Sequence, residues 1–132
     1  MDRPPSGNVL LVEDDEQVRS LVRTLLTTNG YRVLEASTGA EGLALAKVQG
    51  NTIDLLLSDM LLPELSGFDL AQQALQYQPQ MKILFMTGYV EGDIVQRCMS
   101  ELEASFIDKP FQPSQLLSRV HEAVRSRPSA TD

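Results

Sequence analysis

Short apolar runs alternate with amphipathic stretches along the whole chain. Five of the apolar runs have the length of strands, and the first, Asn8–Val12, has the aliphatic composition of a strand that is buried on both faces of a sheet. These predicted strands are Asn8–Val12, Tyr31–Ala36, Ile53–Ser58, Lys82–Met86 and Ser105–Ile107. Each is followed by a stretch with helical character, so the pattern predicts five successive β-α units.

The first predicted helix carries the clearest periodic signal. Asp15 is a suitable N-cap, and Gly30 suits the position just after the last turn. Between them, apolar residues recur at helical spacing, at Val18, Leu21, Val22, Leu25 and Leu26. The other helices are predicted over Ala40–Val48, Phe68–Tyr77 and Asp93–Ser100, and from Pro113 onward.

Strict alternation of strands and helices indicates an α/β fold, a doubly wound parallel sheet with right-handed crossovers and helices on both faces. The pattern extends over residues 8–125 and predicts one domain there. Residues 1–7 are expected to be an N-terminal tail or linker, and residues 126–132 a C-terminal tail.

Composition excludes several classes of protein. The single cysteine, Cys98, allows neither an intramolecular disulfide nor a cysteine-based zinc site and suggests a reducing, intracellular setting. Aliphatic runs reach only about four residues, whereas a transmembrane helix needs about 18. A formal net charge of −7 disfavours direct binding of nucleic acid.

Polar groups follow four of the five predicted strands, at the edge where ligands bind in open α/β sheets. They are Glu13, Asp14 and Asp15 after the first strand, Asp59 after the third, Thr87 after the fourth and Lys109 after the fifth. Clustered carboxylates without histidine or cysteine favour Mg²⁺. A metal, an ammonium group and a hydroxyl together suit phosphoryl transfer, in which a central carboxylate could be the nucleophile. Each signal alone is weak, and their joint placement carries the hypothesis.

Four ordered segments resemble the response-regulator receiver domain of bacterial two-component signalling. They are Leu11–Asp15, Asp59–Gly67, Phe85–Tyr89 and Phe106–Phe111. The resemblance covers residues 8–125 and implies a flavodoxin-like (βα)5 fold with strand order 2-1-3-4-5.

The resemblance implies a phosphoacceptor and a metal site. Asp59 would accept the phosphoryl group, and Mg²⁺ would be the cofactor. Asp14, Asp59 and the backbone carbonyl of Met60 would bind the ion directly, whereas Glu13 would act through water.

The resemblance also implies roles for residues around the phosphate. Thr87 would bind a phosphoryl oxygen, and Lys109 would pair first with Asp59 and later with the phosphate. The Lys109-Pro110 bond would be cis. Phe106 occupies the position of the family's aromatic switch residue. It would act with Thr87 through packing alone, and the alternative is a permanently buried phenylalanine.

Two positions would govern the lifetime of the phosphate. Leu61 and Tyr89 stand two residues after Asp59 and Thr87, where the family borders the path of the attacking water. Leu61 has no group that could orient water, and Tyr89 is bulky enough to cover the phosphate; the alternative is that the Tyr89 hydroxyl group holds a water. We therefore expect slow self-dephosphorylation.

The expected partner is a sensor histidine kinase or a histidine phosphotransfer domain in the cytoplasm, docking on the first helix near Gln17 and Ser20. A homodimer through the fourth helix, fifth strand and fifth helix is also compatible with the resemblance, whereas contact with a membrane is not expected. The Phe85–Tyr89 segment and the Pro4–Gly7 start favour the receiver of a hybrid sensor kinase over a stand-alone regulator.

Alternatives from other classes remain open. A haloacid-dehalogenase-like phosphohydrolase would form an aspartyl phosphate, but Leu61 replaces its second acidic residue. A flavin-binding flavodoxin-like domain would need a phosphate-binding loop after the first strand. A degenerate receiver that serves only as a scaffold is disfavoured because Asp14, Asp59, Thr87 and Lys109 are all present.

Overall fold

The computed structural model describes residues 7–88 and 92–125. Strands and helices alternate strictly within these ranges. They are β1 (Asn8–Val12), α1 (Glu16–Thr28), β2 (Arg32–Ala36), α2 (Gly39–Lys47), β3 (Leu55–Asp59), α3 (Gly67–Leu75), β4 (Lys82–Thr87), α4 (Gly92–Leu102), β5 (Ser105–Asp108) and α5 (Pro113–Arg125). No helix among the described residues is both long enough and apolar enough to cross a membrane.

The five strands form one parallel sheet in the order β2-β1-β3-β4-β5. One core lies between the sheet and α2, α3 and α4, and the other lies between the sheet and α1 and α5. The predicted doubly wound flavodoxin-like fold is therefore confirmed. β3 and β4 each extend to the polar residue at their carboxyl end, so that Asp59 and Thr87 belong to the strands themselves.

The ends of α1 follow the sequence signals. The Asp15 side chain accepts hydrogen bonds from the backbone N–H groups of Gln17 and Val18, which confirms it as the N-cap. At the other end, Gly30 has a φ of 97° and donates to Thr27, while Tyr31 donates to Leu26. This pair of bonds is a Schellman motif, which explains why glycine follows the helix.

Leu21 departs from the prediction for α1. It was expected on the apolar face, but it is 64 % exposed, whereas Val22 and Leu26 are buried. Successive residues are about 100° apart around a helix, so Leu21 lies outside the stripe centred on Val22 and Leu26.

Gly42 has a structural reason within α2. A Cβ atom at this position would lie 2.8 Å from Cγ2 of Val12 on β1. Glycine thus lets α2 approach the sheet closely, and this packing offsets the cost of about 0.5–1 kcal/mol that glycine carries relative to alanine in a helix.

Gln78, in the loop between α3 and β4, hydrogen-bonds to the backbone around the loop between α2 and β3. Its side-chain oxygen accepts from the backbone of Ile53, and its amide nitrogen donates to the carbonyls of Ala46 and Asn51. One side chain therefore satisfies three backbone groups, two in the loop between α2 and β3 and one near the end of α2.

We predict that Gln78→Ala lowers the free energy of unfolding by about 1–3 kcal/mol, because it leaves these backbone groups without partners. Gln80→Ala, at an exposed position nearby, is the matched control and should change stability by less than about 0.5 kcal/mol. Urea denaturation measures both. Equal stability of the two variants would contradict the role of Gln78.

Candidate active site

The carboxyl ends of β1, β3, β4 and β5 bring the predicted site residues to one edge of the sheet. Oxygen atoms of Glu13, Asp14 and Asp59 all lie within 4.8 Å of one another. Glu13 is 1 % exposed, Asp59 is partly buried and Asp14 is exposed. Three carboxylates at this spacing repel one another, so the cluster favours a cation.

Lys109 provides one positive charge at this cluster. Its Nζ lies 2.9 Å from Oδ2 of Asp59 and 3.1 Å from Oε1 of Glu13. Burial lowers the pKa of Lys109, but the hydrogen bonds to Asp59 and Glu13 outweigh it and hold the pKa above its ordinary value. The ammonium group therefore stays charged at neutral pH.

Opposing interactions act on the pKa of the buried Glu13 carboxyl group. Burial raises the pKa of its carboxyl group above the ordinary value, and the charge of Asp59 adds to this. The backbone N–H of Asp15, which donates to Oε2 at 3.1 Å, and the Lys109 ammonium oppose the rise. Of the acidic run that follows β1, Glu13 and Asp14 thus belong to the cluster, whereas Asp15 caps α1.

Thr87 ends β4 next to the cluster. It is 7 % exposed, and its buried Oγ1 has no hydrogen-bond partner among the described residues. Its carbonyl accepts from the backbone N–H of Lys109 at 2.7 Å, which ties the fourth strand end to the fifth. A buried hydroxyl without a partner is costly unless it serves a ligand.

The loop after Asp59 contains two further predicted residues. The Met60 carbonyl accepts from the backbone N–H of Gly67 at 2.9 Å, and the Met60 side chain is buried. Leu61 is 68 % exposed. Tyr89, predicted to border the phosphate together with Leu61, lies outside the described residues.

Phe106 on β5 is half-buried. Its ring lies 5.7 Å from that of Phe85 on β4, centroid to centroid, and the rings are tilted by 38°. Its carbonyl accepts from the Arg119 guanidinium on α5. The Lys109-Pro110 peptide bond that follows β5 is cis, as predicted.

A partly buried ammonium group shared by two carboxylates lies at the edge of a 2-1-3-4-5 sheet, together with a third carboxylate and an unpartnered hydroxyl. The model of the response regulator receiver domain matches residues 9–121 of the chain. The chain belongs to this family. It is therefore a receiver domain of two-component signalling.

Relatives of two kinds resemble this receiver domain. The sensor kinase CckA of Brucella abortus is 32 % identical over 126 residues, which are 96 % of this chain but 13 % of the kinase. The receiver protein CpdR of the same organism is 31 % identical over 86 % of this chain and 93 % of its own length. The chain therefore spans a small part of one relative and nearly all of the other.

The solved structures that resemble this chain include receiver domains of the same two kinds of protein. The receiver domain of the hybrid histidine kinase CckA is 34 % identical, with a TM-score of 0.77, covering 90 % of this chain and all of that one. A CheY-like receiver domain from Methanospirillum hungatei is 30 % identical, with a TM-score of 0.83, covering 89 % of this chain and 93 % of that one.

The part that Gly67 plays in the site is not evident from the sequence pattern. A Cβ atom here would lie 2.6 Å from the backbone oxygen of Asp59 and 3.0 Å from the ring of Phe85. Glycine at the start of α3 thus lets the helix pack directly behind Asp59. The available signal was a glycine just after Ser66, which caps α3 by accepting from the backbone N–H of Asp69.

We predict that Gly67→Ala destabilises the domain by about 1–3 kcal/mol, because the added methyl group overpacks the backbone of Asp59. Gly92→Ala is the control, since no atom of residues 7–88 or 92–125 lies within 4 Å of a Cβ atom there. Thermal unfolding compares the two variants. If Gly67→Ala is as stable as Gly92→Ala, the contact behind Asp59 is not tight.

Proposed function

We propose that this receiver domain, residues 8–125, accepts a phosphoryl group on Asp59 from a phosphohistidine donor in a phosphorelay. The observation that carries the proposal is the ammonium of Lys109, which contacts both Asp59 and Glu13 at the edge of the sheet. A carboxylate oxygen of Asp59 attacks phosphorus, the P–N bond to the imidazole breaks, and an aspartyl phosphate forms. Lys109 balances charge on the acceptor and then on the phosphoryl oxygens.

The residues at the site fit Mg²⁺. Asp14 and Asp59 offer hard carboxylate oxygens, and the described residues place no nitrogen or sulfur ligand in the cluster. We assign the ion to Asp14, Asp59 and the Met60 carbonyl, with Glu13 acting through water. Bound there, Mg²⁺ would neutralise charge on the phosphoryl oxygens.

Thr87 supplies the remaining contact in this proposal. Its buried and unpartnered Oγ1 suits donation to a phosphoryl oxygen that arrives at the neighbouring strand end. We propose that this donation moves Thr87 and lets Phe106 rotate, so that phosphorylation changes the surface at β5. Because phenylalanine has no hydroxyl group, packing alone would drive the rotation.

The kinase or phosphotransfer domain is proposed to dock on α1. Gln17 and Ser20 are both exposed near the start of this helix, beside the loop that carries Asp14. The likeness to CckA supports an origin in a hybrid sensor kinase, and the likeness to CpdR supports the alternative of a single-domain regulator. A phosphohydrolase is less favoured, since Leu61 offers no second acid after Asp59.

We predict that Asp59→Asn abolishes labelling by acetyl phosphate and Mg²⁺, because an amide is not a nucleophile at this site. Lys109→Ala should slow labelling by roughly 100-fold, as expected when one charge-stabilising donor is lost. Chelation of Mg²⁺ should also stop it. Intact-protein mass spectrometry counts the phosphoryl groups, and Asp93→Asn, at an exposed position of α4, is the control. Full labelling of the Asp59→Asn variant would show that a residue other than Asp59 accepts the phosphoryl group.

We also predict slow loss of the phosphate. Leu61 is 68 % exposed beside Asp59, and its apolar side chain offers nothing that could hold an attacking water in line. Leu61→Asn combined with Tyr89→Ala should therefore shorten the lifetime of the phosphorylated protein, measured as decay of the labelled mass. A double variant that decays no faster than the natural sequence would show that these side chains are not the gate.

A further inference from the structure

One arginine of α1 contacts the backbone of the acidic loop. Nη1 of Arg19 donates to the carbonyl oxygen of Glu13 at 2.8 Å. This carbonyl belongs to the peptide plane that leads into Asp14, so its orientation helps to set the position of the Asp14 Cα atom. The backbone N–H of Glu13 is bound to Ala36 of β2 at 3.1 Å. Both backbone polar groups of Glu13, the N–H and the carbonyl, are therefore hydrogen-bonded.

Arg19 is itself held in place by β2. Its Nε lies 3.4 Å from Oε1 of Glu35, and its side chain is 19 % exposed. Arg23, one helical turn later, lies 3.1 Å from the other carboxylate oxygen of Glu35. Two arginines therefore share one carboxylate, and the contact with the Glu13 carbonyl is made by Arg19.

Asp14 depends on this backbone support more than its neighbours do. The Glu13 carboxylate is fixed by Lys109 and by the backbone of Asp15, and the Asp59 carboxylate is fixed by Lys109. Asp14 is exposed, so packing does little to fix it. The peptide plane held by Arg19 is then a main restraint on its approach to the cluster.

We propose that Arg19 is a positioning residue that preorganises the loop carrying Glu13 and Asp14 for a divalent cation. This inference rests on the proposed function, because it assumes that Mg²⁺ binds at the cluster. Arg19 does not touch the reacting atoms. It acts through the Glu13 carbonyl, and Glu35 holds it in the geometry that this requires.

Charge and positioning predict opposite effects when Arg19 is replaced. Removing a positive charge near a cation site should strengthen Mg²⁺ binding by reducing repulsion. Loss of the bond to the Glu13 carbonyl should weaken it, because groups that orient metal ligands commonly contribute tenfold or more to affinity. The direction of the change therefore separates the two effects.

The experiment compares Arg19→Gln with Arg23→Gln. Both remove one positive charge and one contact with Glu35, whereas the bond to the acidic loop is lost in Arg19→Gln. Mg²⁺ affinity is measured by NMR titration of the ¹⁵N-labelled protein. We expect Arg19→Gln to bind Mg²⁺ roughly tenfold more weakly, and Arg23→Gln to bind at least as tightly as the natural sequence. Thermal unfolding without Mg²⁺ checks that both fold.

A second readout distinguishes positioning from general damage. For Arg19→Gln, the Mg²⁺ concentration that gives half-maximal labelling by acetyl phosphate should rise, while the rate at saturating Mg²⁺ stays the same. Arg19→Lys retains a donor for the Glu13 carbonyl and should recover part of the lost affinity. This variant also tests the inference if Arg19→Gln does not fold.

Arg19→Gln that binds Mg²⁺ as tightly as the natural sequence would overturn the inference. The inference would also be overturned if Arg23→Gln weakened Mg²⁺ binding as much as Arg19→Gln does. It would be overturned as well if Arg19→Lys bound Mg²⁺ no more tightly than Arg19→Gln. If the natural sequence itself showed no Mg²⁺ binding, the proposed cation site would fail instead. The two failures are therefore distinguishable.

Discussion

Two carboxylates, Glu13 and Asp59, share the single ammonium group of Lys109. Burial of Glu13 would be costly without this partner, because an unpaired charge in a low-dielectric environment loses its hydration. Asp14 adds a third carboxylate within 4.8 Å, so Lys109 alone does not neutralise the cluster. The remaining negative charge is what makes this edge of the sheet suitable for a divalent cation.

The sheet topology makes this charge cluster possible. β3 lies between β1 and β4, so the strand that ends in Asp59 has the Glu13 strand on one side and the Thr87 strand on the other. β5 pairs with β4, and the backbone N–H of Lys109 donates to Thr87. Groups that are far apart in sequence therefore meet without long flexible loops. The positions of the charges follow from strand pairing rather than from local structure.

Much of the fold and the site follows from local patterns that the sequence displays. Aliphatic runs predict the strands, and the polar residues that end them predict the cluster of Glu13, Asp14, Asp59 and Lys109. Leu21 was placed wrongly because periodicity alone does not locate the centre of the buried stripe on α1. The contribution of Gly67 depends on how closely α3 approaches Asp59, which only tertiary packing determines.

Arginine contacts were equally hard to predict. Arg19 and Arg23 look alike in sequence as positive residues one turn apart, and both contact Glu35. Only the geometry of the loop before α1 gives Arg19 its bond to the Glu13 carbonyl. The sequence pattern identifies the residues whose side chains can perform the chemistry. It does not identify residues such as Arg19, whose side chain holds the backbone of the loop that carries them.

The packing behind Asp59 extends to the edge strand β5 and to α4. Gly67 packs against the Asp59 carbonyl and against Phe85, and the Phe85 ring meets Phe106 on the edge strand β5. Phe68, next to Gly67, lies under the guanidinium of Arg97 on α4, 4.6 Å from the ring centroid. Close-packed groups of this kind transmit small displacements, because they cannot deform without moving their neighbours. A methyl group added at Gly67 would therefore press on both the Asp59 backbone and Phe85, whose ring meets Phe106 on β5.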